Sequence, residues 1–483
     1  MPSERPPRFA SQMQPSCRRA LVLGVAMLVL VGCAAAPEAG AGSTSERAAL
    51  HDQTFEKVWT ELRDHYYDPT FGGRDWDAIG DRYRAELKDV TSDSALHALL
   101  NRMLKELGKS HLAVIPPEAY EASPSDTGGA APAERSKDKE KAGAGRKKPG
   151  GGSSASLPPS TKDGGVGLAA AMVEGQPTIV SVREGGAAQV AGLRPGFVLV
   201  RIGGREMSDA ISRLVAAGRD DAAIARRIES FVASRLSGAP GGSVDVAYLD
   251  GDNTAHEVSL VREPDERRRV AILNLPPSLM ECDVRTLEGG VGYVSFSIFF
   301  LQLMKEIREG ILSFRGAPGL ILDLRGNGGG MAMMSVSVAA LLLGERVDLG
   351  TMRNRNGVMR FPVFPVSDPV RAPVVVLVDG GTGSTSEMLA GALQEMGRVR
   401  VVGTTSAGMV LPSVLKTLPS GARLQYPMAD FLTTKGHALE GAGVIPDFVV
   451  PRSRASLLRG QDNVVEAARK LLLDLRKSSE RNP

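Results

Sequence analysis

The amino-acid sequence predicts an α/β protein, in which a helical segment and a strand-rich segment precede the main core. Three observations support this fold class. Apolar residues recur at helical spacing between residues 46 and 118, short strand-like runs follow from residue 165, and strand and helix signals alternate after residue 270. With 483 residues, of which 42% are hydrophobic and 23% charged, the chain is long enough for two or three domains.

The N-terminus has the pattern of a secretory signal peptide. Arg18 and Arg19 precede the apolar run Ala20–Val31, which is long enough for the hydrophobic region of a signal peptide and short for a membrane span. The run ends in LVGC, which resembles a bacterial lipobox with Cys33 as the acylated residue. We therefore expect a signal peptide over residues 1–33 and a lipid-anchored protein of the bacterial cell envelope that faces the periplasm. The alternative is an uncleaved membrane anchor with an incidental cysteine.

Charge and cysteine content argue against several classes of site. The net charge of +3 gives no reason to predict a nucleic-acid partner, because proteins that bind phosphate backbones concentrate basic charge on one face. Of the three cysteines, Cys17 leaves with the leader and Cys33 is acylated, so Cys282 is the only unmodified thiol. Neither an intramolecular disulfide nor a cysteine metal cluster is then available, and no metal or organic cofactor is implied.

The helical segment, residues 46–118, contains three stripes of apolar residues at one-face spacing. Gly108 is placed to end the third helix, and Ser110 and His111 follow, so that His111 lies at a helix-to-strand junction. The stripes consist of Phe55, Val58, Trp59 and Leu62, then Trp76, Ile79, Tyr83 and Leu87, and then Leu96, Leu99, Leu100, Met103, Leu104 and Leu107.

Residues 121–164 are rich in Gly, Pro, Ser, Ala and Lys and contain almost no large apolar side chain. Such a composition buries too little surface to offset ordering entropy, so we predict a disordered linker. A compact segment over residues 165–262 follows, with strand-like runs on both sides of a helix from Asp220 to Leu236. The alternating strands and helices of residues 270–483 predict an α/β core, against which a last helix, Val464–Leu475, packs.

Ser384 stands at a predicted corner between a strand and a helix. The apolar run Val374–Val378 ends in a glycine-containing turn, and Thr385 opens a helical pattern. A serine at such a corner has an exposed hydroxyl, and the helix N-terminus supplies amide donors and a positive potential for an oxyanion. The structural alternative is a capping box, with Ser384 as N-cap and Glu387 at the third helical position.

A second corner follows the apolar run that ends at Leu324, where the chain reads RGNGGG over residues 325–330. Glycines allow backbone N–H groups to approach a ligand closely, which suits an oxyanion hole or a phosphate cradle. The turn is not a Walker motif, because no Lys-Ser or Lys-Thr pair follows the last glycine. A tight strand-to-helix turn without chemistry is the alternative.

Three motifs together resemble those of the tail-specific, or C-terminal processing, serine peptidases. They are Asp323–Gly330, Ser384–Glu387 and Leu439–Asp447, and they occur in the family's order and spacing. The resemblance covers about Phe55 to Val450 and implies a crotonase-like ββα catalytic core over residues 270–483. It also implies protein or peptide substrates, cleaved near unstructured C-termini.

The same resemblance implies a PDZ-like module over residues 165–262. Its carboxylate-binding loop is Gly165, Val166, Gly167 and Leu168, and such modules capture an extended peptide by strand addition. A recurring turn of the module, ending here at Gly196, is commonly followed by aspartate, whereas this chain has Phe197. The departure concerns a turn more than the peptide groove.

The general base departs from the commonest pattern of the family, in which a lysine follows the serine by twenty-five positions. In this chain that residue is Met409, whose thioether cannot take a proton. The tricorn-like branch uses instead a histidine preceded by serine and a glutamate near the C-terminus, and Ser110, His111 and Glu440 match those positions. Without the resemblance, the more common interpretation of a lone histidine such as His111 is one satisfied at a helix end, and Glu440 is interpreted as a loop carboxylate.

The resemblance therefore implies a serine endopeptidase in which Ser384 attacks and His111 is the general base, with an unperturbed pKa near 6.5 that suits neutral pH. Glu440 and Ser110 would orient the imidazole. The implied oxyanion donors are the backbone N–H groups of Thr385, Gly328 and Gly329.

Two other functions remain open at this point. One is a catalytically inactive protein that binds a hydrophobic ligand or a peptide on the same fold, as in the retinoid-binding members of the family. The other is a PDZ-bearing scaffold at the cell envelope. The presence of Ser384, His111 and Glu440 together argues against the first, since a binding protein has no need of all three. The sequence predicts no oligomeric state.

Overall fold

Three helices and a short strand open the part of the chain that the structure describes. In this computed structural model the described residues are 44–117, 164–216, 221–265, 267, 269–270 and 278–481. The predicted signal peptide, Cys33 and nearly all of the predicted linker lie outside them. The first elements are α1 (Thr44–His65), α2 (Trp76–Glu86), α3 (Asp93–Lys105) and β1 (Ala113–Ile115).

The helices of this segment begin at side-chain caps that the sequence supplies. Asp75 accepts a hydrogen bond from the Ala78 N–H at 2.9 Å, and Ser92 accepts one from Ala95 at 3.2 Å. Asn101 on α3 then fixes β1, because its side chain bonds both the N–H and the carbonyl of Val114. The junction that carries His111 is therefore held at both of its ends.

The strand-rich segment forms one antiparallel sheet with two helices against it. The strand order is β3-β4-β5-β7-β8, with β6 paired to β5, and β2 pairs separately with β9. The elements are β2 (Gly164–Gly165), β3 (Leu168–Val173), β4 (Gln176–Val182), α4 (Ala187–Val190), β5 (Val198–Ile202), β6 (Arg205–Glu206), α5 (Met207–Ala216), α6 (Asp221–Leu236), β7 (Ser243–Leu249), β8 (Ala255–Val261) and β9 (Glu263–Pro264).

The core is built on a mainly parallel sheet of order β12-β13-β14-β17-β18-β22, in which only the β12–β13 pair is antiparallel. Its elements are β10 (Arg269–Val270), β11 (Ser278–Leu279), β12 (Cys282–Thr286), β13 (Gly292–Phe296), α7 (Met304–Ser313), β14 (Leu320–Asp323), α8 (Met333–Ala339), β15 (Val347–Asn354), β16 (Gly357–Val363), β17 (Val374–Val378), α9 (Thr385–Glu395), β18 (Val399–Gly403), β19 (Ser413–Thr417), β20 (Arg423–Pro427), β21 (Asp430–Thr433), β22 (Phe448–Val449), α10 (Arg454–Leu458) and α11 (Asn463–Arg481).

Both faces of this sheet are covered by helices. The continuous apolar runs of β14 and β17 are buried throughout, as expected of central strands in a parallel sheet. One face packs in a large cluster with α7, α8 and α9. The other face packs against α11 through Val464, Ala468 and Leu472, which confirms the prediction that the last helix returns to the core.

The helical segment shares its hydrophobic cluster with strands from late in the chain. β1 pairs antiparallel with β20, and Leu424 and Tyr426 of β20 are buried among the side chains of α1 and α3. The Tyr426 hydroxyl also donates to Glu61 of α1 at 2.8 Å. This pairing brings residue 111 close to the loops that follow α9. None of the helices within the described ranges is long and apolar enough to cross a membrane.

Candidate active site

Ser384 occupies the corner between a strand and a helix that the sequence predicts, and its backbone is strained there. It follows β17 by a short turn and immediately precedes α9, with φ 53° and ψ −119°. A positive φ is uncommon for a residue other than glycine and indicates a conformation that the surroundings enforce. The Ser384 N–H donates to the Met409 carbonyl at 3.0 Å, and the side chain is only partly buried.

The structure also contains the helix cap that the sequence offers as the alternative at this corner, and the carboxylate of Glu387 forms it. Its Oε2 accepts from the Ser384 N–H at 3.0 Å, as in a capping box. Helix capping and an exposed nucleophile are thus compatible uses of the same four residues.

The glycine-rich turn after β14 lies directly against this corner. Gly329 has φ 102°, and a Cβ atom there would lie 2.6 Å from the Ser384 Cβ and 2.8 Å from the Thr385 nitrogen. Only glycine allows the two corners to approach this closely. The turn and the serine therefore form one continuous surface.

Asn327 joins the two corners from the buried side. Its side chain accepts from the Gly329 N–H at 2.9 Å and donates to the Phe296 carbonyl at 2.8 Å, while its own carbonyl accepts from the Gly383 N–H. Asn327 lies within the glycine motif of residues 325–330, but no local sequence pattern predicts this role for its side chain.

These bonds distinguish the three predicted oxyanion donors. The Gly329 N–H points to Asn327 and is engaged there. The N–H groups of Thr385 and Gly328 have no hydrogen-bond acceptor within the described part of the chain. Gly328 is also exposed, with no atom within 4 Å of the place that a Cβ would occupy. Thr385 and Gly328 are consequently the two predicted donors whose N–H groups are not engaged by the described part of the protein.

His111, Ser110 and Glu440 form one hydrogen-bonded chain. The Ser110 Oγ lies 2.7 Å from His111 Nδ1 and donates to Glu440 Oε2 at 3.0 Å, and the Ser110 N–H donates to Oε1 at 2.7 Å. Because the hydroxyl proton of Ser110 is directed to the carboxylate, its lone pair accepts from the Nδ1–H of the imidazole. His111 Nε2 is then left with a lone pair, as a general base requires.

Residues 409 and 410 connect this chain to Ser384. The Met409 carbonyl accepts from the Ser384 N–H, and the next residue, Val410, donates its N–H to Glu440 Oε2 at 3.1 Å. The nucleophile corner and the His111 chain are thus neighbours across one short backbone segment. Within the described residues, the hydrogen-bond partner of the His111 ring is Ser110, and no bond joins His111 directly to Ser384.

The surroundings of His111 favour its neutral form. Burial lowers the pKa of the imidazole from its ordinary value, and the negative charge of Glu440 opposes part of that change. The net direction is downward, so the ring is unprotonated at neutral pH. The backbone of His111 has φ 58°, a second strained position beside the site.

The lysines that could replace the missing base are engaged elsewhere. The Lys416 Nζ lies 3.9 Å from Glu61 Oε1, beside α1. The Lys435 Nζ donates to the Glu395 carbonyl at 3.2 Å, at the far end of α9 from Ser384.

The predicted peptide-binding loop lies at the start of β3. Val166 is buried and its carbonyl accepts from the Ala188 N–H, while the Gly167 carbonyl accepts from Arg183. Phe197, the departure from the expected aspartate, stacks on Tyr248 with ring centroids 5.5 Å apart. An aromatic contact thus takes the place of a polar turn residue.

Comparison with known proteins links the chain to peptidases. The model of peptidase family S41 matches residues 290–450, and the model of the tricorn protease C1 domain matches residues 48–105. Carboxyl-terminal-processing peptidase 3, chloroplastic, of Arabidopsis thaliana is 26% identical over 414 residues, which cover 84% of this chain and 70% of that protein. The carboxyl-terminal-processing protease of Synechocystis is 32% identical over 246 residues, and the match spans 50% of this chain and 56% of that protein.

Two solved structures share the fold. The photosystem II D1 C-terminal processing protease has a TM-score of 0.50 and 24% identity, covering 83% of this chain and 93% of its own. Mature CPAF complexed with lactacystin has a TM-score of 0.56 and 13% identity, covering 88% and 98%. These similarities confirm the predicted α/β fold.

Proposed function

The chain belongs to peptidase family S41, a family of serine-type peptidases, and from this premise we propose that it is a serine endopeptidase with Ser384 as nucleophile and His111 as general base. One observation carries the proposal. The hydrogen-bonded chain from His111 through Ser110 to Glu440 ends on Val410, whose neighbour Met409 bonds the backbone of Ser384.

The arrangement supports acyl transfer in two steps. Ser384 Oγ bonds to the scissile carbonyl carbon while His111 Nε2 takes the hydroxyl proton, and the carbonyl oxygen becomes an oxyanion. The C–N bond then breaks as His111 returns the proton to the leaving amine. Water, deprotonated by the same nitrogen, hydrolyses the acyl-enzyme and regenerates Ser384.

The oxyanion is held by the free N–H groups of Thr385 and Gly328. Such a donor contributes about 2.7–4 kcal/mol to transition-state stabilisation in other hydrolases. The α9 N-terminus adds a positive potential at the same place. Glu440 acts through Ser110: its negative charge stabilises the imidazolium, and the Ser110 hydroxyl keeps the proton on Nδ1.

Substitution of Glu440 is expected to change the pH dependence of the reaction. Activity rises with pH as His111 loses its proton, and Glu440 raises the pKa of that ring against the effect of burial. Glu440→Gln removes the raising charge, so the pKa of His111 falls further and the ascending limb of kcat/KM moves to lower pH. The plateau falls by roughly 10²-fold because the imidazolium loses its counter-charge. If the maximal kcat/KM of Glu440→Gln falls but the ascending limb of its pH profile stays at the wild-type pH, Glu440 does not act on His111.

We further propose that residues 165–262 present substrates as a PDZ-like module. β3 is an edge strand of its sheet, as strand addition requires, and a cavity of about 680 Å³ lies beside it. The loop residues Asp379, Gly380 and Gly381, which lead to Ser384, line the same cavity. An extended C-terminal segment bound there would lie next to the loop that carries the nucleophile.

The lipid anchor and the location in the cell envelope are proposals from the sequence alone. The apolar run before Cys33 and the LVGC sequence support them. Cys33→Ser is expected to block acylation and to release the protein from the membrane fraction of cells. Retention of the variant through an intact leader would instead support the uncleaved anchor.

A further inference from the structure

Glu387 lies at the centre of the site, and it makes more hydrogen bonds than helix capping requires. Its side chain is fully buried, and its carboxylate accepts four hydrogen bonds. The donors are the Ser406 hydroxyl (2.5 Å) and Gly408 N–H (2.6 Å) on Oε1, and the Met409 N–H (2.9 Å) and Ser384 N–H (3.0 Å) on Oε2.

These four donors belong to two segments of the chain, and the distance between those segments must be correct for proton transfer from the nucleophile. One is the nucleophile corner, whose Ser384 N–H bonds both Glu387 and the Met409 carbonyl. The other is the segment after Ser406, in which Val410 follows directly and holds Glu440. Glu387 therefore bonds both the backbone of Ser384 and the backbone of Met409, and the residue after Met409, Val410, holds Glu440.

The chemistry of the contacts favours an ionised carboxylate at this place. Three of the four donors are backbone N–H groups, which can only donate and so cannot accept a hydrogen bond from a protonated carboxyl group. Burial raises the pKa of Glu387 above its ordinary value and the hydrogen bonds oppose only part of that change, so it is the direction of the donors that favours the ionised form. A glutamine would fit the space but would direct its NH₂ group at one fixed N–H donor on the Oε1 side or at two on the Oε2 side.

We propose that Glu387 is a positioning residue that sets the distance between Ser384 and the His111–Ser110–Glu440 chain. The inference rests on the proposed peptidase function and extends it to a residue outside the predicted triad. At position 409, where many relatives are expected to carry a basic side chain, this chain uses only the backbone, and Glu387 holds that backbone in place.

A double-mutant cycle separates positioning from capping. Glu387→Gln and Glu440→Gln are measured singly and together, as kcat and KM on an unstructured protein substrate. If Glu387 acts through residues 408–410 on Glu440, the loss caused by Glu440→Gln is at least about tenfold smaller in the Glu387→Gln background. Glu387→Gln itself lowers kcat with little change in KM.

The control is Asp75→Ala, which removes a helix cap on α2 away from the site. This variant should have a lower melting temperature. The fold-loss in kcat of the Asp75→Ala, Glu440→Gln double variant should equal the product of the two single fold-losses. Should Glu387→Gln fail to fold, Ser406→Ala removes one donor to Glu387, together with the acceptor of the Val444 N–H, and is expected to show the same coupling. Multiplicative effects of Glu387 and Glu440 in an active enzyme would overturn the positioning role and leave the peptidase assignment intact.

A separate observation concerns the outer edge of β3. The Met172 N–H on that edge donates to Glu229 Oε1 of α6 at 3.1 Å, so that α6 lies along the strand. Both residues line the cavity of about 680 Å³, and burial raises the pKa of Glu229. A strand that pairs with β3 would need this N–H for one of its own carbonyls.

We infer that Glu229 is an internal competitor for the peptide groove. Its carboxylate occupies the acceptor position of a bound strand and must leave before a peptide can pair fully with β3. This inference rests on the proposed peptide capture by residues 165–262, and it makes occupancy of the groove a competition between substrate and α6.

Peptide binding to the Ser384→Ala protein tests this competition. The probe is a fluorescein-labelled ten-residue peptide ending in valine with a free carboxylate, followed by anisotropy. Glu229→Ala is expected to tighten binding about three- to tenfold and to accelerate deuterium exchange of the Met172 amide, as the loss of one hydrogen bond permits. Ser230, the next residue of α6, is exposed and supplies the control Ser230→Ala, for which both quantities stay unchanged.

Equal affinity and equal exchange in the Glu229→Ala and Ser230→Ala proteins would overturn the competitor role. Absence of binding in every variant would overturn it together with the peptide groove. Neither result bears on cleavage by the wild-type enzyme, which tests the peptidase function separately.

Discussion

Ser384→Ala is expected to abolish proteolysis while the protein keeps its fold. Loss of the Oγ removes the atom that forms the acyl bond, and a nucleophile deletion of this kind lowers kcat by about 10⁶-fold in serine peptidases. The backbone contacts of the corner, from Ser384 N–H to Met409 and Glu387, do not involve the hydroxyl. Cleavage of an unstructured protein and the melting temperature are the two measurements.

Ser243→Ala, at an exposed position on β7, is the matched control and should cleave at the wild-type rate. Undiminished turnover by Ser384→Ala with a normal melting temperature would exclude this serine as the nucleophile.

His111→Ala is expected to lower kcat by roughly 10⁴–10⁶-fold, because Ser384 then lacks a group that can take its proton. In the wild-type enzyme, activity should rise with an apparent pKa below the ordinary value of histidine, since burial lowers the pKa of His111. The measurements are kcat for the variant and the pH profile of kcat/KM for the wild type. His256, exposed on β8 and paired with Asp250, supplies the control His256→Ala.

The lysine alternatives provide a second comparison for the base. Lys416 and Lys435 contact Glu61 and Glu395, away from Ser384, so Lys416→Met and Lys435→Met should retain most activity. Loss of activity in either of these variants, with an active His111→Ala, would mean that a displaced lysine is the base.

Local patterns predicted the elements that carry the site. The apolar run 374–378 is a buried central strand, Ser384 lies at its corner, and α11 covers one face of the sheet. These features depend on periodicity and on turn residues, which a single sequence displays directly. The α/β character of the core followed from the alternation of strand and helix signals, whereas the order and direction of its strands came only from the structure.

The assembly of the site depends on contacts that local patterns do not contain. Ser110 and Glu440 are separated by 330 positions, and they meet because β1 pairs with β20. Only the resemblance to a family suggested that meeting, since a strand of three residues carries little periodic signal. The engagement of Gly329 by Asn327 likewise depends on the direction of one side chain in a turn.

Glu387 shows a third kind of limit. Its position three residues after Ser384 predicts a capping box, and the structure contains that contact. The remaining donors come from residues 406–409, whose approach to α9 is set by the loop after β18. A sequence pattern can indicate one partner of a buried carboxylate, whereas the full set requires the tertiary fold.

Active-site labelling by a fluorophosphonate probe tests the central claim most directly. The full-length chain is solubilised, labelled at neutral pH and digested, and the modified peptide is identified by mass spectrometry, with His111→Ala treated in parallel. We expect one probe per chain, on Ser384, and little labelling of the His111→Ala protein within the same time. Wild-type protein that stays unlabelled at Ser384, or His111→Ala protein that labels at the wild-type rate, would contradict the assignment of a Ser384 nucleophile activated by His111.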